Sequence, residues 1–306
     1  MDISNLDISV CFSDGYILRN AAHIITSETD VASIVFTPDS ITINFAGKNK
    51  SSFHDFKFQV EELLDYVYNP DPDHEGNIPE KYVVGFKTQE FNRNVKVSKK
   101  DGIVIYITKD ARNKISVKHL KSVSRSDSKS ASFINVIDAE DIIYQPESPP
   151  NKTPYIRILP KEFSEMCTQC SNLKCAFLRI KKINIGDRKG IKAEGVTHDG
   201  LIAFQNEFFS SKIVGNRREN NRPATDYSSY SIVAPGAGSV ESRAKIVKIE
   251  SVKFKLGGST VKALSKINNM STSKIQIFLT EGQPLVITCE MGNIGTYSLF
   301  SSDSED

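Results

Sequence analysis

The sequence predicts an α+β protein built from two similar halves, each with two short helices and several antiparallel strands. Three observations support this prediction. Segments with apolar residues at every second position indicate half-buried strands. Segments with apolar residues at spacings of three and four indicate amphipathic helices. The same order of segments occurs twice, and 306 residues are enough for two domains of ordinary size.

The C-terminal hairpin gives the clearest strand pattern. Within GQPLVITCEMGNIGTYSLF, which begins at Gly282, one strand face carries Leu285, Ile287, Cys289 and Met291. Val286, Thr288 and Glu290 alternate with them on the other face. A Gly-Asn-Ile-Gly turn then leads into a second short strand over 296–300.

An internal repeat divides the chain. IVIYITKDARNKISVK, from Ile103, and IQIFLTEGQPLVITCE, from Ile275, each read as a strand, a polar turn and a second strand. A lysine-bearing helix precedes each of them, at about 88–100 and 259–270. Further upstream, DGYILRNAAHIIT and PKEFSEMCTQCSNL each have one apolar helical face. Each half therefore reads strand, helix, several strands, helix, hairpin.

The repeat and the prolines set the predicted domain boundaries. We expect an N-terminal domain over 1–138, a connector over 139–154, a C-terminal domain over 155–300 and an acidic tail over 301–306. The connector contains four prolines, which fix the backbone and remove hydrogen-bond donors. The segments NPDPDHEGNIPEK and 212–243 are interpreted as insertions in surface loops.

The composition indicates a globular, soluble protein, with 39% hydrophobic and 25% charged residues. An apolar run long enough to span a bilayer is absent from the sequence, so no membrane association is expected. The N-terminal residues show no secretion signal, and five cysteines without framework spacing fit reduced thiols. We therefore expect an intracellular protein. The net charge is only +2, but basic residues cluster near 93–100 and acidic ones in the tail.

Several runs carry a resemblance to a known family. KIQIFLTEGQPLVITCEMGNIGTYSLF resembles the end of a proliferating cell nuclear antigen (PCNA) subunit, the DNA sliding clamp. PYIRILPKEFSEMCTQCSNL followed by IKAEGVTHDGLIAFQNE resembles the start of the clamp's second domain. VVGFKTQEFNRNVKVSKKDGIVIYITKD resembles the second helix and following hairpin of its first domain. The insertions and the length suggest a divergent member, such as those of large DNA viruses.

This resemblance implies a ring-forming DNA clamp fold with antiparallel sheets outside and two helices per domain inside. Three subunits would pair edge strands head to tail, for which strands near 132–137 and 201–207 are our candidates. The helices would surround double-stranded DNA without reading its sequence. The ring would act as a processivity factor that tethers DNA polymerase and other replication or repair proteins. It would have no catalytic activity and no cofactor, would need a clamp loader, and would act in the nucleus or at a site of viral replication.

Cations of the helical segments are the candidate DNA contacts, since lysine and arginine neutralise phosphates without directed base contacts. Arg93, Lys96 and Lys100 fall at spacings of three and four, which predicts one helical face. The third helix is a misfit, because it carries Glu162 and Glu165. The alternative is that the lysines only solvate helix faces. The full candidate set is Arg19, Arg93, Lys96, Lys99, Lys100, Lys262, Lys266 and Lys274.

The C-terminal hairpin and the connector together could form an apolar cleft for partner peptides. The resemblance implies that clamp partners insert a short motif with aromatic and aliphatic anchors there. The alternative is that the hairpin residues only close the core of the domain. The candidate residues are Ile142, Ile143, Tyr144, Pro146, Pro284, Leu285 and Tyr297.

Other residue patterns predict no chemistry. Cys167 and Cys170 form a CxxC but fall on the apolar face of a predicted helix, so we expect core cysteines rather than a metal or redox site. The five histidines are scattered, and APGAGS lacks the Lys-Ser/Thr of a phosphate loop. Two other functions stay open: a monomeric DNA-binding processivity factor of the same fold, and a clamp-shaped interaction scaffold without a DNA role.

Overall fold

The computed structural model describes residues 3–48, 50–99, 101–121, 131–138, 153–185, 188–210, 247–301 and 304–305. The first half contains the strands β1 Leu6–Phe12, β2 Val31–Phe36, β3 Ser40–Ala46, β4 Ser52–Gln59, β5 Asp65–Tyr68, β6 Tyr82–Lys87, β7 Gly102–Thr108, β8 Lys114–Leu120 and β9 Ser132–Ile137. Its helices are α1 Gly15–Glu28 and α2 Thr88–Asn94.

The second half contains the strands β10 Ile156–Ile158, β11 Phe177–Ile185, β12 Arg188–Val196, β13 Ile202–Phe209, β14 Val247–Gly257, β15 Ile275–Phe278, β16 Leu285–Met291, β17 Gly295–Ser301 and the two-residue β18 Ser304–Glu305. Its helices are α3 Pro160–Asn172 and α4 Gly258–Leu264. In both halves a strand and a helix are followed by several strands, a second helix and three strands, and the second half adds the two-residue β18. The predicted order of elements is therefore confirmed.

The first helix of each half forms where its apolar spacing predicts it. In α1 the carboxylate of Asp14 accepts a hydrogen bond from the Tyr16 amide at 3.0 Å, which caps the helix N-terminus. α3 begins at Pro160, a position where proline sacrifices no helical hydrogen bond. The apolar faces of both helices are buried against the sheets. Cys167 and Cys170 lie on that face of α3 and are buried, as predicted, and burial raises the pKa of both thiols.

The second helix of each half is shorter than the sequence predicts. α2 ends at Asn94 rather than at 100, because Val95 and Val97 turn into the core and the Val97 carbonyl is taken by Arg19 at 2.9 Å. α4 ends at Leu264 rather than at 270, where the Ser265 hydroxyl donates to the Lys262 carbonyl at 2.7 Å. The predicted single helical face of Arg93, Lys96 and Lys100 is therefore wrong: Lys96 follows the helix, and Lys100 lies outside the described residues.

Two sheets carry these helices. The larger has thirteen strands in the order β10-β15-β16-β17-β4-β3-β2-β6-β9-β8-β7-β1-β5. The smaller has five, in the order β13-β12-β11-β14-β18. Every pairing is antiparallel. The larger sheet crosses from one half to the other at β4–β17, where Ser52–Phe58 pair with Ser301–Gly295.

The β4–β17 junction is closely packed. Tyr297 lies 4.6 Å from Phe56 between ring centroids and is fully buried. A Cβ atom on Gly295 would lie 2.1 Å from the carbonyl oxygen of Lys57, so only glycine allows the strands to approach here. Leu285 is also fully buried. Both side chains are on the core face of the hairpin, so the placement of Tyr297 and Leu285 in an exposed cleft is wrong and the alternative, that they close the core of the domain, fits these two residues.

A buried polar cluster lies beside this junction and links α1, β4, α4 and β17. The Tyr297 hydroxyl is 2.9 Å from Nδ1 of His54, and Nε2 of His54 is 3.7 Å from Oε2 of Glu28. The Thr260 hydroxyl donates to the same Glu28 oxygen at 3.3 Å. Oε1 of Glu28 has no hydrogen-bond partner. Burial raises the pKa of Glu28 to about 7 and lowers the pKa of His54 to about 3.

Candidate nucleic-acid interface and open strand edges

The four helices form one layer on the sheets. α2 contacts α1, α1 contacts α4, and α4 contacts α3, so the helices of the two halves meet at α1 and α4. Their buried faces pack on the sheets, which leaves their polar faces exposed on one side of the molecule.

Arg19 lies near the middle of this layer. Its side chain is exposed on α1, and Nη1 donates to the Val97 carbonyl in the segment after α2 at 2.9 Å. The guanidinium lies 5.8 Å from the centre of the Tyr16 ring, and the Lys99 ammonium lies 5.3 Å from the same ring. Arg19 and Lys99 are therefore neighbours, although 80 positions separate them in the sequence.

His23 marks where cations of the two halves meet. It is exposed, one helical turn after Arg19. Its pKa is lowered by partial burial and then by the positive charges of Lys266, Arg19 and Lys262. Lys262 and Lys266 of the second half therefore lie close enough to α1 to act on it. His23 was not among the predicted contacts, and its spacing of four from Arg19 is the sequence signal that places both on one helical face.

No contact links Arg93 or Lys96, two of the other described candidate cations, to this group. Arg93 is exposed in the last turn of α2, and Lys96 is exposed two residues beyond that helix. Lys274 is half-buried just before β15 and makes further contacts. The structure thus brings together Arg19, Lys99, Lys262 and Lys266, which we call the helix-layer cations.

The positive charges of the two second-half lysines in this set are not neutralised by acidic side chains of the described residues. Among the described residues, neither Lys262 nor Lys266 forms an ion pair, and both side chains are exposed. α3 remains the misfit that the sequence predicts: Lys161 is 3.9 Å from Glu165. The positive charge is therefore concentrated over α1, α4 and the end of α2.

The two strands predicted to contact other subunits differ in position. β13 is the terminal strand of the five-stranded sheet, as expected of an edge. β9 is not terminal, because its last two residues pair with β6; the expectation of an open edge is therefore wrong for Val136 and Ile137. The four preceding residues, 132–135, pair in the described structure with β8 alone. The Asn135 amide donates to the Glu90 carboxylate of α2 at 3.4 Å, so the open part of this edge is 132–134.

Large apolar side chains are exposed beside both open edges. Phe133 on β9 is 57% exposed, and Leu201 and Ile202 at the start of β13 are 65% and 51% exposed. A cluster of exposed apolar side chains of this size usually indicates a surface that binds another protein chain.

The two strands of the internal β4–β17 junction are the topological counterparts of the two strands with open edges. In the first half the strands run in the order β4-β3-β2-β6, and in the second half in the order β13-β12-β11-β14. β13 therefore corresponds to β4, and β9, the last strand of the first half, corresponds to β17. β4 and β17 pair with each other over seven residues, whereas their counterparts β13 and β9 do not pair within the chain.

The candidate partner cleft is only partly described. Ile142, Ile143, Tyr144 and Pro146 lie outside the described residues. Pro284 is exposed at the start of β16. Nearby, a cavity of about 490 Å³ opens where the chain enters β10; it is lined by Thr153, Pro154, Tyr155, Lys189, Phe278, Leu279 and Thr280.

The buried cluster at the junction is not arranged for nucleophilic catalysis. Ser52 and Glu28 both approach the same nitrogen of His54, at 3.3 and 3.7 Å, whereas a base needs its orienting carboxylate on the opposite nitrogen. All three side chains are buried from solvent. Over the described ranges no group of three or more His, Cys, Asp or Glu side chains could hold a metal ion. Nor do those ranges contain a helix that is long and apolar enough to cross a membrane.

Solved structures of known proteins share this fold. PCNA from Entamoeba histolytica matches with a TM-score of 0.63 at 9% identity, over 98% of this chain and 100% of that one. A PCNA2–PCNA3 complex from Sulfolobus tokodaii matches with a TM-score of 0.59 at 15% identity, over 96% and 98%. The sequence itself matches no protein-family model and no curated protein. The chain has the fold of proliferating cell nuclear antigen along nearly its whole length, with a strongly divergent sequence.

Proposed function

We propose that this chain is a sliding clamp subunit. Three copies would pair head to tail into a closed ring around duplex DNA and tether DNA polymerase and other replication or repair proteins. The ring would act inside the cell wherever the DNA is replicated, and a clamp loader would open it. The observation that carries the proposal is the pair of open edges, β13 and β9, whose counterparts already pair inside the chain.

The internal junction provides a template for the contact between copies. If β13 of one copy pairs with β9 of the next as β4 pairs with β17, each copy repeats the step that relates its own halves. Head-to-tail contacts of this kind close into a ring when the rotation per step is right, and form filaments otherwise. The pairing would also cover Phe133, Leu201 and Ile202, which removes an otherwise exposed apolar surface.

The helix layer supports the proposed DNA contact. In such a ring α1 and α4 of each copy would face the central hole, with Arg19, Lys262 and Lys266 directed at the phosphates. Exposed lysines and arginines bind phosphates through charge and carry no information about the bases. Contacts of this type are compatible with sliding, because each one is weak and is replaced by an equivalent one at the next phosphate.

Partner proteins would bind near the connector, on the side of the second half that carries Pro284. The cavity beside Tyr155 and Phe278 has a size that accommodates one or two side chains of a peptide. With Tyr297 and Leu285 buried, the peptide anchors would meet Pro284 and this cavity instead of the face of the last hairpin. This revises the sequence-based cleft and keeps the connector residues 142–146 as its proposed second wall.

Solution mass tests the assembly. The wild-type protein should have three times the chain mass of 34.0 kDa by multi-angle light scattering at micromolar concentration. Phe133→Glu places a charge on β9 at the proposed contact and should give single chains. Leu64→Glu is the matched control, since Leu64 is 67% exposed but lies next to β5 at the far end of the larger sheet. A wild-type mass of one chain would contradict the ring and favour the monomeric processivity factor.

A further inference from the structure

His23 lies on the exposed ridge of α1, between the side that faces the second half and the side that faces α2. Asn20 marks the first side, since its amide group donates to the Asn269 carbonyl at 3.5 Å. Thr26 marks the second side, where its hydroxyl donates to the Thr88 carbonyl at 3.1 Å. At about 100° per residue, the position midway between Asn20 and Thr26 in the sequence points between these two sides. The ring nitrogens of His23 form no hydrogen bond with the described residues, so they are open to a ligand.

The charges that act on His23 are positive. Partial burial first, and then the charges of Lys266, Arg19 and Lys262, lower the pKa of its imidazole. Lys99, the fourth helix-layer cation, is a neighbour of Arg19 across the same tyrosine ring. Cations on both sides of the imidazole repel a further proton, so His23 in the free chain is neutral at pH values where an isolated histidine is partly charged.

The other elements that pack on α1 bring few ionisable groups to this surface. α2 carries Glu90 and Arg93, β7 carries Tyr106, and the short turn Ile267–Asn269 carries none. The Glu90 carboxylate accepts a hydrogen bond from the Asn135 amide at 3.4 Å, which holds it at the β9 edge. An anion bound among the helix-layer cations would therefore be the main negative charge next to the imidazole.

We propose that His23 is a phosphate contact of the helix layer that takes up a proton from solvent when DNA binds. The inference rests on the proposed function, since the phosphate belongs to the DNA. A phosphate between the cations of the two halves would offset their repulsion and favour the imidazolium form. The imidazolium donates from both ring nitrogens, and its hydrogen bonds to phosphate oxygens are stronger than those of a neutral ring. The chain would therefore hold DNA more tightly as the pH falls.

The pH window follows from the two protonation states of His23. The complex binds more protons than the free chain, so the affinity for DNA rises as the pH falls through the pKa of His23 in the complex. The rise ends at the lowered pKa of the free chain, below which His23 is protonated with or without DNA. Lysine and arginine stay charged throughout this range and add no slope. Because full uptake of one proton changes the affinity tenfold per pH unit, partial uptake should give a rise of about three- to tenfold from pH 8 to pH 6.

Binding of a fluorescent duplex oligonucleotide to the full chain, measured by anisotropy at constant ionic strength and at pH 8, 7 and 6, tests the inference. His23→Gln should bind at every pH as weakly as the wild type does at pH 8. His23→Lys carries a permanent charge and should bind at pH 8 at least as tightly as the wild type at pH 6, without a pH dependence. His198→Gln is the matched control, because His198 is exposed on the turn between β12 and β13; it should keep the wild-type profile.

Calorimetric titration in two buffers with different ionisation enthalpies counts the protons directly. The wild type should take up protons on binding the duplex at pH 7, and His23→Gln should take up none. An equal rise in affinity in the wild type and in His23→Gln would overturn the inference and leave the proposed DNA contact standing. Absence of duplex binding at every pH would contradict the proposed function and this inference together.

Discussion

Glu28→Gln should stabilise the protein at neutral and alkaline pH. Glu28 is fully buried, and one of its carboxylate oxygens has no hydrogen-bond partner. The groups that face it are His54 on β4, which burial keeps neutral, the Thr260 hydroxyl on α4, and the more distant charge of Lys48. With so little compensation, the ionised form of Glu28 is unfavourable in the folded state, and glutamine removes the charge with little change in shape.

The magnitude follows from the two pKa values. The pKa of Glu28 is about 7 in the folded chain and 4.5 without the fold. A group whose pKa is raised by folding contributes its full stabilisation at pH values below its pKa in the unfolded chain. That stabilisation is lost as the pH rises through the pKa of the folded chain. At 1.36 kcal/mol per pKa unit, the wild type should lose about 2.5 kcal/mol relative to Glu28→Gln between pH 5 and pH 8.

Urea unfolding of both proteins at pH 5, 6, 7 and 8 measures this difference. The difference in stability between the variant and the wild type does not contain the contribution of His54. That contribution has the opposite sign, because the lowered pKa of His54 makes stability rise with pH. Glu165→Gln, which replaces an exposed carboxylate on α3, is the control for the loss of a surface charge. A difference between Glu28→Gln and the wild type that stays constant from pH 5 to pH 8 would refute the buried-charge account.

Three further outcomes follow from the contacts. Tyr297→Phe removes the hydrogen bond to His54 Nδ1 and should cost about 1–3 kcal/mol in urea unfolding, because a buried polar atom loses its partner; a loss below 0.5 kcal/mol would argue against the bond. Gly295→Ala should destabilise the chain on circular dichroism melting, since its Cβ would collide with the β4 backbone; the loss should exceed that of the same change at Gly76, where a Cβ atom meets no atom within 4 Å and only the positive φ disfavours alanine. Arg19→Ala should weaken duplex binding and reduce its salt dependence by about one phosphate contact, without altering solution mass.

Local patterns in the sequence predicted the elements well where one physical signal dominated. The alternation of Leu285, Ile287, Cys289 and Met291 places all four side chains in the core of β16. The apolar spacing in α1 and α3 likewise predicts their buried faces, and the repeated order of elements appears in both halves. The resemblance to PCNA, which rested on this order, is confirmed at the level of the fold.

Long-range contacts explain what the sequence could not predict. α2 ends early because Val97 is drawn into the core and Arg19, from 78 positions away, takes its carbonyl. Tyr297 pairs with His54 across 243 positions, a contact that no local pattern predicts. β9 gains a partner in β6 through pairs such as Gly85 with Ile137, which are far apart in the sequence. The roles of the candidate DNA and partner residues stay predictions.

Retention on circular DNA tests the central claim most directly. The protein should be loaded on a nicked circle, washed at a salt concentration that abolishes its binding to short duplexes, and then exposed to a nuclease that linearises the circle. A closed ring stays on the circle after its charge contacts are screened, and leaves when the DNA acquires ends. Loss of the protein from the intact circle at the same salt and rate as from linear DNA would contradict encirclement.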